Sequence, residues 1–338
     1  MKKTLLTLCF LLAALGGRSA DITVLQWNIW QEGTQVRGGY DAIVDELVRL
    51  KPDFVTFSEV RNYHGVDFIA KLRASLAERG LTYYGFRTDD TGLLSRHPIT
   101  DSVTVFPLHN DHGSIYRLRT EVNGRKIAVY TSHLDYLDDA YYNVRGYDGS
   151  TWREIPVPTT VAEVLERNDR SRRDEAIAMF LTFAADDQRE GYISILGGDF
   201  NEPSYIDWCD ATRDLYDHNG LAVPWPQTLR LAQEGFIDCW RALYPNPVTH
   251  PGFTFPADNP DVPVEKLSWT PKADERDRID YLFYRGEGIR VTDCRLFGPA
   301  GTIGTYKRLP AEWDEPIILP QGTWPTDHKG VWARFELD

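Results

Sequence analysis

Residues 192–201 read YISILGGDFN, and this stretch decides the fold more than any other part of the chain. Its apolar run, bounded by glycines, is typical of a strand that is buried on both faces. The glycines then allow the backbone to turn sharply and to approach a ligand. Asp199 and Asn201 follow directly. An acid and an amide straight after a buried strand predict a functional site, whereas an Asx-turn is the structural alternative.

Other polar side chains also lie at the ends of apolar strands. A carboxylate directly after the apolar run 54–57 is costly unless it is paired or binds a cation. Each residue has a structural alternative when taken alone: a hydrogen-bonded buried asparagine, a salt bridge, a packed histidine or a surface turn. The candidates outside 192–201 are Asn28, Glu59, His133, Asp280, Asp327 and His328.

These residue types suit hydrolytic chemistry on a phosphate. Carboxylate oxygens are natural ligands of hard divalent cations, and Glu59 is a candidate ligand. Asp199 has the chemistry to orient or activate a water molecule, and His133 to donate a proton or a hydrogen bond to a phosphate oxygen. A second carboxylate such as Asp280 would orient the imidazole of His328 and hold it protonated, because a nearby negative charge raises a histidine pKa.

Helices and strands are interleaved along the chain. Asn123-Gly124 between two β-rich runs predicts a hairpin with a two-residue turn, because both residues tolerate positive φ. Apolar residues at helical spacing predict helices at 41–50, 66–78 and 171–186. This order favours one α/β domain over 21–338 rather than two independent modules.

Three segments lack regular patterns. Residues 136–168 contain tyrosines, glycines, prolines and many charges, with no clear periodicity before Val161. They predict a long functional loop or insertion beside His133. The proline-rich segment 245–271 predicts a surface excursion, and 299–325 predicts another long loop.

Residues 1–20 are typical of a secretory signal peptide. Lys2 and Lys3 precede an apolar stretch that is too short to span a bilayer, and small residues follow it. Cleavage is expected after Ala20, with a cut after Gly16 as an alternative. The structural alternative to a signal peptide is a buried N-terminal strand or helix. The sequence therefore predicts an exported protein, periplasmic or extracellular, with no later transmembrane segment.

Charge and cysteine content narrow the possible partners. The formal net charge of −13 at pH 7 repels nucleic acid and anionic membranes at long range, although a local basic cleft can coexist with an acidic exterior. After the predicted signal peptide, Cys209, Cys239 and Cys294 remain, which are too few for a disulfide framework and wrongly spaced for a zinc knuckle. We expect a monomer that rests on its hydrophobic core.

Taken together, the motifs resemble those of the endonuclease/exonuclease/phosphatase superfamily, which has the deoxyribonuclease I-like fold. The resemblance extends from Leu25 to Val331. It implies a four-layer α/β sandwich, in which two mostly antiparallel or mixed sheets pack together between helices. The matching stretches are LQWNI, DFVTFSEV, GLLSRHPI, YTSHLD, LGGDFN, RIDYLF and TDHKGV.

The resemblance also implies roles for the candidate residues. Glu59 would be the principal ligand of Mg²⁺, with Mn²⁺ or Ca²⁺ as alternatives, and Asn28 and Asp327 would lie at the metal. Asp199 would orient or deprotonate the attacking water, and Asn201 would steady that water or a phosphoryl oxygen. His328, oriented by Asp280, would bind the scissile phosphate. His133 would contact the phosphate or assist the leaving group.

The chain departs from the family pattern mainly near its substrate-reading loops. Thr326 and Gly330 replace a serine and a proline that are common in the last motif, and both changes leave the side-chain chemistry intact. The segment 136–168 is harder to match, and a solvated loop with a packed aromatic is its structural alternative. The predicted substrate-binding residues are Arg61, Tyr141, Arg145, Tyr147 and Trp152.

Three functions follow as hypotheses. The first is a metal-dependent phosphoesterase that hydrolyses a phosphate mono- or diester of a small molecule or lipid headgroup. The second is a secreted endonuclease on DNA or RNA, because Glu59-Val60-Arg61 resembles the corresponding stretch of secreted deoxyribonucleases. The third is a non-catalytic binding protein on the same fold. The acidic chain and the bulky segment beside His133 favour a small phosphorylated substrate.

Overall fold

The computed structural model describes residues 20–338. The predicted signal peptide lies outside the described residues, apart from Ala20, where the first strand begins. Within residues 20–338, no helix is both long and apolar enough to cross a membrane.

The elements alternate along the chain as the sequence predicts. The strands are β1 (Ala20–Asn28), β2 (Phe54–Val60), β3 (Asp90–Ser95), β4 (Ile99–Phe106), β5 (Ser114–Val122), β6 (Arg125–His133), β7 (Ile193–Asp199), β8 (Ile237–Asp238), β9 (Asp280–Arg285), β10 (Ile289–Phe297), β11 (Thr302–Gly304), β12 (Lys307–Leu309), β13 (Ile317–Ile318) and β14 (Gly330–Leu337). The α-helices are α1 (Gly39–Leu50), α2 (Phe68–Glu78), α3 (Ala140–Val144), α4 (Val161–Asn168), α5 (Arg173–Arg189), α6 (Pro226–Gln233) and α7 (Cys239–Leu243). Two short 3₁₀ helices, Tyr63–Gly65 and Val264–Lys266, complete them.

Most of these strands form two six-stranded sheets of mixed direction. The first sheet has the order β13-β10-β14-β1-β2-β3, and the second has the order β4-β5-β6-β7-β9-β8. Parallel pairs are β1 with β2, β6 with β7, and β10 with β13, and the other pairs are antiparallel. The remaining strands, β11 and β12, form a separate ribbon.

The two sheets pack face to face with helices outside them. In β1, Ile22 and Val24 enter the core between the sheets, while Leu25 and Trp27 face α1 and α2. The outer face of the second sheet packs on α5 and α6 through a third cluster that includes Phe180. This alternation follows from the two-residue period of a strand. The predicted four-layer α/β sandwich is confirmed.

The face between the sheets changes character along each central strand. In β1, Gln26 and Asn28 continue the inward row that begins with Ile22 and Val24, and all four are buried. In β7, Asp199 continues the row of Ile193 and Ile195. The inter-sheet layer is therefore apolar at one end and polar at the other.

The hairpin prediction is confirmed in detail. Val122 of β5 pairs with Arg125 of β6, so Asn123 and Gly124 form a two-residue turn. Their φ angles are 51° and 82°, which is the left-handed conformation that this turn requires. The hairpin holds the second sheet in the register that places His133 at the end of β6.

The segment 136–168 has more regular structure than the predicted loop and is not solvated throughout. It contains α3 and α4, and its tyrosines belong to a buried aromatic cluster, while its functional role stays a prediction. There Tyr141 and Tyr142 pack with Trp208 and Trp225. A five-residue helix is too short to show a periodic pattern, and its packing partners lie far along the chain.

The stability of the fold should depend on the apolar residues that pack between the two sheets. Leu282 is 1% exposed in β9, and we expect Leu282→Ala to lower the free energy of unfolding by about 2–5 kcal/mol because it leaves a cavity. Ile237→Ala is the matched control, since Ile237 is 44% exposed and its loss should cost about 0.5 kcal/mol. Urea unfolding measures both, and equal losses would contradict this account of the core.

Candidate active site

Strand register brings the predicted residues together at the polar end of the sandwich. In the second sheet, His133 of β6 pairs with Asp199 of β7, which in turn pairs with Asp280 of β9. In the first sheet, Asn28 of β1 pairs with Ser58 of β2, next to Glu59. The site is therefore built from both sheets.

The glycines before Asp199 serve a different purpose from the predicted one. The strand β7 continues straight through them to Asp199, so they do not turn the backbone. A Cβ at Gly197 would overlap Thr56 Oγ1 of the other sheet, and a Cβ at Gly198 would overlap the side chain of Ser132 on the neighbouring strand. They allow close packing here, not close approach of a ligand.

A hydroxyl of the first sheet fixes the backbone at Asp199. Ser58 Oγ accepts a hydrogen bond from Asp199 N at 3.2 Å and donates to Ser132 O at 3.1 Å. Beside it, Gln26 donates from Nε2 to Asp280 Oδ1 at 3.3 Å and accepts from Thr56 Oγ1 at 2.7 Å. These buried bonds join the two sheets where apolar packing ends.

Asp199 lies between the two predicted histidines. Its Oδ2 atom is 3.9 Å from His133 Nε2 and 3.8 Å from His328 Nε2. Burial first, and then the charge of Asp280, raise the pKa of Asp199 to about 6, although both imidazoles act in the opposite direction. A carboxylate with a pKa near neutrality is suited to accept a proton.

His328 has a carboxylate partner, as the sequence predicts. Its Nδ1 atom is 2.9 Å from Asp280 Oδ2, and the ring of Phe255 lies against it at 4.8 Å. Burial opposes a charge on this imidazole, but Asp280 and Asp199 outweigh it and raise the pKa of His328 to about 10. Protonated His328 therefore presents an Nε2 donor to the site.

His133 has a corresponding partner that sequence reasoning missed. Its Nδ1 atom is 2.8 Å from Oδ2 of Asp90, the first residue of β3. Burial opposes a charge on His133, but Asp90 outweighs it and raises the pKa of His133 to about 9. The available signal was the acidic pair Asp89-Asp90, which lies two residues before the apolar pair Leu93-Leu94 of that strand.

Arg61 also belongs to the Asp90 cluster. Its Nη1 atom is 2.8 Å from Asp90 Oδ1 and 2.5 Å from Asp111 Oδ1. Arg61 lines the cleft as predicted, but two carboxylates already compensate its charge. Its contribution to binding an anion is thereby weakened.

Asn201 is held by the groups around it. Its backbone N–H donates to Asp199 Oδ1 at 2.9 Å, and its Nδ2 donates to Leu134 O at 3.0 Å. The same Nδ2 lies 3.2 Å from His133 Nε2. When His133 is protonated, both nitrogens are donors, and an anionic oxygen would satisfy the pair.

Asn28 reaches the site as a hydrogen-bond donor to two carboxylates. Its Oδ1 accepts from Trp30 N at 2.9 Å, which fixes the orientation of the amide. Its Nδ2 donates to Asp199 Oδ2 at 2.9 Å and to Glu59 Oε1 at 3.1 Å. In this orientation the amide nitrogen of Asn28 faces the two carboxylates, and its role at the metal stays a prediction.

The donors that fit a hard divalent cation are Glu59 and Asp327. Both line the cleft, and Glu59 accepts only amide N–H bonds, from Asn28 and from the backbone of Gln31. Burial first, and then the charge of Glu59, raise the pKa of Asp327 to about 7 against the effect of His328. A cation between the two carboxylates would relieve this repulsion.

A second group, Asp199, Asp280 and His328, also has ligand atoms within 4.8 Å of one another. Hydrogen bonds from His328 and Gln26 to Asp280 account for this closeness. Because those hydrogen bonds already engage Asp280, Glu59 and Asp327 stay the predicted ligands of the cation.

A cleft of about 520 Å³ opens onto the site, and six of the predicted catalytic and metal residues line it: Glu59, His133, Asp199, Asn201, Asp327 and His328. Of the predicted substrate-binding residues, Arg61, Tyr141 and Trp152 line it, whereas the structure places Arg145 and Tyr147 elsewhere among the described residues. Arg145 is buried and pairs with Asp277 at 2.5 Å, and Tyr147 is buried in the aromatic cluster with Trp208. A buried guanidinium needs a buried carboxylate to compensate its charge, so Arg145 pairs with Asp277 and does not bind substrate in the cleft.

Two comparisons with known proteins agree with this geometry. A model of the Endonuclease/Exonuclease/phosphatase family matches residues 25–328. The chain belongs to this family. Its members are generally metal-dependent phosphoester hydrolases, including phosphodiesterases and nucleases. An uncharacterised protein of Caenorhabditis elegans is 28% identical over 325 residues, covering 94% of this chain and 92% of that protein.

Solved structures share the fold at low sequence identity. D. rerio TDP2 in complex with a single-strand DNA product is 17% identical, with a TM-score of 0.51, over 94% of this chain and 99% of that one. The human Nocturnin catalytic domain with a bound sulfate anion is 15% identical, with a TM-score of 0.52, over 94% and 95%. An endonuclease/exonuclease/phosphatase from Bacteroides vulgatus is 14% identical, with a TM-score of 0.51, over 94% and 100%. These likenesses support the deoxyribonuclease I-like fold.

The pair of His133 and Asp90 should make stability depend on pH. The pKa of His133 rises from 6.5 to about 9 in the fold, so the stabilisation is fully present below pH 6.5 and is lost as the pH rises through about 9. With chelator present, the Asp90→Asn variant should therefore have a lower free energy of unfolding than the wild type. This difference should become smaller as the pH rises from 6.5 to about 9. Urea unfolding across this range measures the margin.

The control for this prediction is Asp101→Asn. It removes a partner of Arg117, at 2.6 Å, without involving a histidine. Its margin should stay constant over the same range. A constant margin for Asp90→Asn as well would mean that His133 does not carry the charge assigned to it.

Proposed function

We propose that this protein is a divalent-metal-dependent phosphoesterase that hydrolyses a phosphate mono- or diester of a small molecule or lipid headgroup. The observation that carries the proposal is the convergence around Asp199 of two imidazoles, each bonded to its own carboxylate. Two protonated imidazoles on either side of a proton acceptor suit attack of water on an anionic ester.

Each residue has a distinct part in the proposed reaction. Asp199 accepts a proton from the attacking water, since its pKa is about 6 and its two oxygens are fixed by Asn28 and by the backbone of Asn201. His328 donates from Nε2 to a phosphate oxygen and so stabilises the charge that develops there. His133 and the amide of Asn201 offer two more donors for a second oxygen or for the leaving group.

The cation would be held by Glu59 and Asp327. We propose Mg²⁺, with Mn²⁺ or Ca²⁺ as alternatives, because both ligands are carboxylates of the kind that hard cations prefer. When bound, it neutralises phosphate charge and makes the phosphorus more electrophilic.

The composition of the cleft favours a compact substrate over a nucleic acid strand. A polynucleotide carries further phosphates on both sides of the scissile one, and these require basic contacts. Among the described residues that line the cleft, Arg61 and Lys266 are the only arginine or lysine side chains, and carboxylates already hold Arg61. Export to the periplasm or the exterior stays a prediction from residues 1–20.

The roles of the cation and Asp199 can be tested together. We expect hydrolysis of bis(p-nitrophenyl) phosphate or p-nitrophenyl phosphate with Mg²⁺, and none with chelator. Asp199→Asn should lower kcat by roughly 10²–10⁴-fold, because it removes the proton acceptor. Asp210→Asn is the matched control, since that side chain is 93% exposed. Turnover that survives chelator or Asp199→Asn would refute the mechanism.

The substrate class requires a separate panel. With Mg²⁺, we expect inositol phosphates, sugar phosphates or a choline phosphodiester to be hydrolysed with higher kcat/KM than double-stranded DNA or RNA, because the cleft lacks a basic track. Preference for either polynucleotide would replace this proposal with the nuclease alternative. No turnover on any substrate, together with no Mg²⁺ binding by calorimetry, would favour a non-catalytic binding protein.

A further inference from the structure

Three aromatic side chains form one side of the cleft, and we call them the aromatic wall: Tyr142, Trp152 and Trp269. The Trp152 and Trp269 rings stack with centroids 5.0 Å apart and an interplanar angle of 17°. Tyr142 meets Trp152 edge to face at 4.8 Å and 86°. None of the three is used in the proposed reaction.

The wall is held in place by the surrounding backbone and buried polar groups. Trp152 has a φ of 58°, which is costly for a bulky residue, and its turn is held by Asp148, whose Oδ1 accepts from Thr151 N at 2.8 Å. Trp269 N donates to the buried carboxylate of Glu275 at 3.0 Å. Trp269 itself is 45% exposed, which core packing alone does not explain.

The arrangement of the rings is unsuited to a flat partner between them. A base or other planar group could lie between the two indole rings only if a gap separated them, but Trp152 and Trp269 already contact each other. Tyr142 is 1% exposed, so it supports Trp152 from behind and offers no ring face of its own. Trp269 is 45% exposed, and a quaternary ammonium group binds over the electron-rich face of an indole ring.

The charges in the same cleft also favour a cation. Asp111, Asp139 and Glu265 line it in addition to the acids of the proposed reaction, and these acids outnumber the two basic side chains of the cleft, Arg61 and Lys266. Asp139 is buried and pairs with Arg173 at 2.7 Å, and Asp111 pairs with Arg61. Among residues 20–338, Glu265 forms no ion pair, so its carboxylate is available to attract a cation.

We propose that the aromatic wall binds a positively charged ammonium group of the substrate, so that the enzyme acts on phosphate esters of amino alcohols such as choline. This inference rests on the proposed function, since it specifies the substrate of the same site. The phosphate lies at the histidines while the ammonium group lies against the wall, and Glu265 adds attraction to its charge.

The test uses two esters that differ only in charge. They are p-nitrophenyl phosphocholine and p-nitrophenyl 3,3-dimethylbutyl phosphate, in which a carbon replaces the charged nitrogen. With Mg²⁺, we expect kcat/KM for the choline ester to exceed that for the neutral ester by about tenfold. A ratio near one, or a higher kcat/KM for thymidine 5′-p-nitrophenyl phosphate than for both, would overturn the inference.

Variants locate the effect on the wall. Trp269→Leu should reduce the ratio between the two esters to near one, and Trp269→Phe should restore much of it. Tyr84→Leu is the matched control, because Tyr84 is 38% exposed and lies outside the cleft. An unchanged ratio in Trp269→Leu would show that the wall does not bind the ammonium group.

Binding separates failure of this inference from failure of the proposed function. If neither ester is hydrolysed, calorimetry with choline and with 3,3-dimethylbutanol still tests the wall. Tighter binding of choline, lost in Trp269→Leu, would support the ammonium site in a protein that is not a phosphoesterase. Equal or absent binding of both would overturn the inference.

Discussion

Buried charge at one end of the inter-sheet layer is the constraint on which the rest of this structure depends. Asp90, Asp199 and Asp280 are each at most 2% exposed, and a carboxylate removed from water is costly unless partners compensate it. Here two imidazoles, an arginine and several amides supply that compensation. The partners come from both sheets, so the polar end of the sandwich requires accurate register in each of them.

The same constraint explains the uncharged side chains of the layer. Gln26, Thr56 and Ser58 lie between the apolar core and the ionic groups. Gln26 and Ser58 bond to groups of the other sheet, and Thr56 donates to Gln26 and so holds its amide in place. They satisfy carboxylate and backbone groups without adding charge. Glycines at the adjoining positions of β7 allow the sheets to approach closely enough for these bonds to form. Stability and chemistry therefore depend on the same contacts.

The sequence was most informative where one strand carries the whole signal. Buried strands that end in polar residues predicted the positions of Asn28, His133 and Asp199, because each side chain lies at the end of its own strand. The partner of His133 was missed because Asp90 lies on a strand that is distant in sequence, and pairing across strands is not visible in local patterns. The Asn28 amide orientation likewise depends on the Trp30 backbone, which only the fold reveals.

Segments without periodicity were the least predictable. Arg145 and Tyr147 are residue types that often bind ligands. In the fold, Tyr147 packs in a buried cluster with Trp208, and Arg145 pairs with Asp277, and both partners lie far along the chain. Short helices such as α3 and α7 leave no repeating pattern, so the segment 136–168 was interpreted as a loop. Their placement is decided by tertiary packing.

Construction of the site from two sheets has a consequence for folding. Glu59 and Asn28 come from one sheet, whereas His133 and Asp199 come from the other. Neither sheet alone therefore contains a complete site. Any ligand that contacts both halves binds only the assembled sandwich, and its binding free energy is added to that of folding. A ligand that protects backbone amides of both sheets from hydrogen exchange would then show that the two sheets unfold as one cooperative unit. A fragment with only one sheet would neither bind the ligand nor gain this protection.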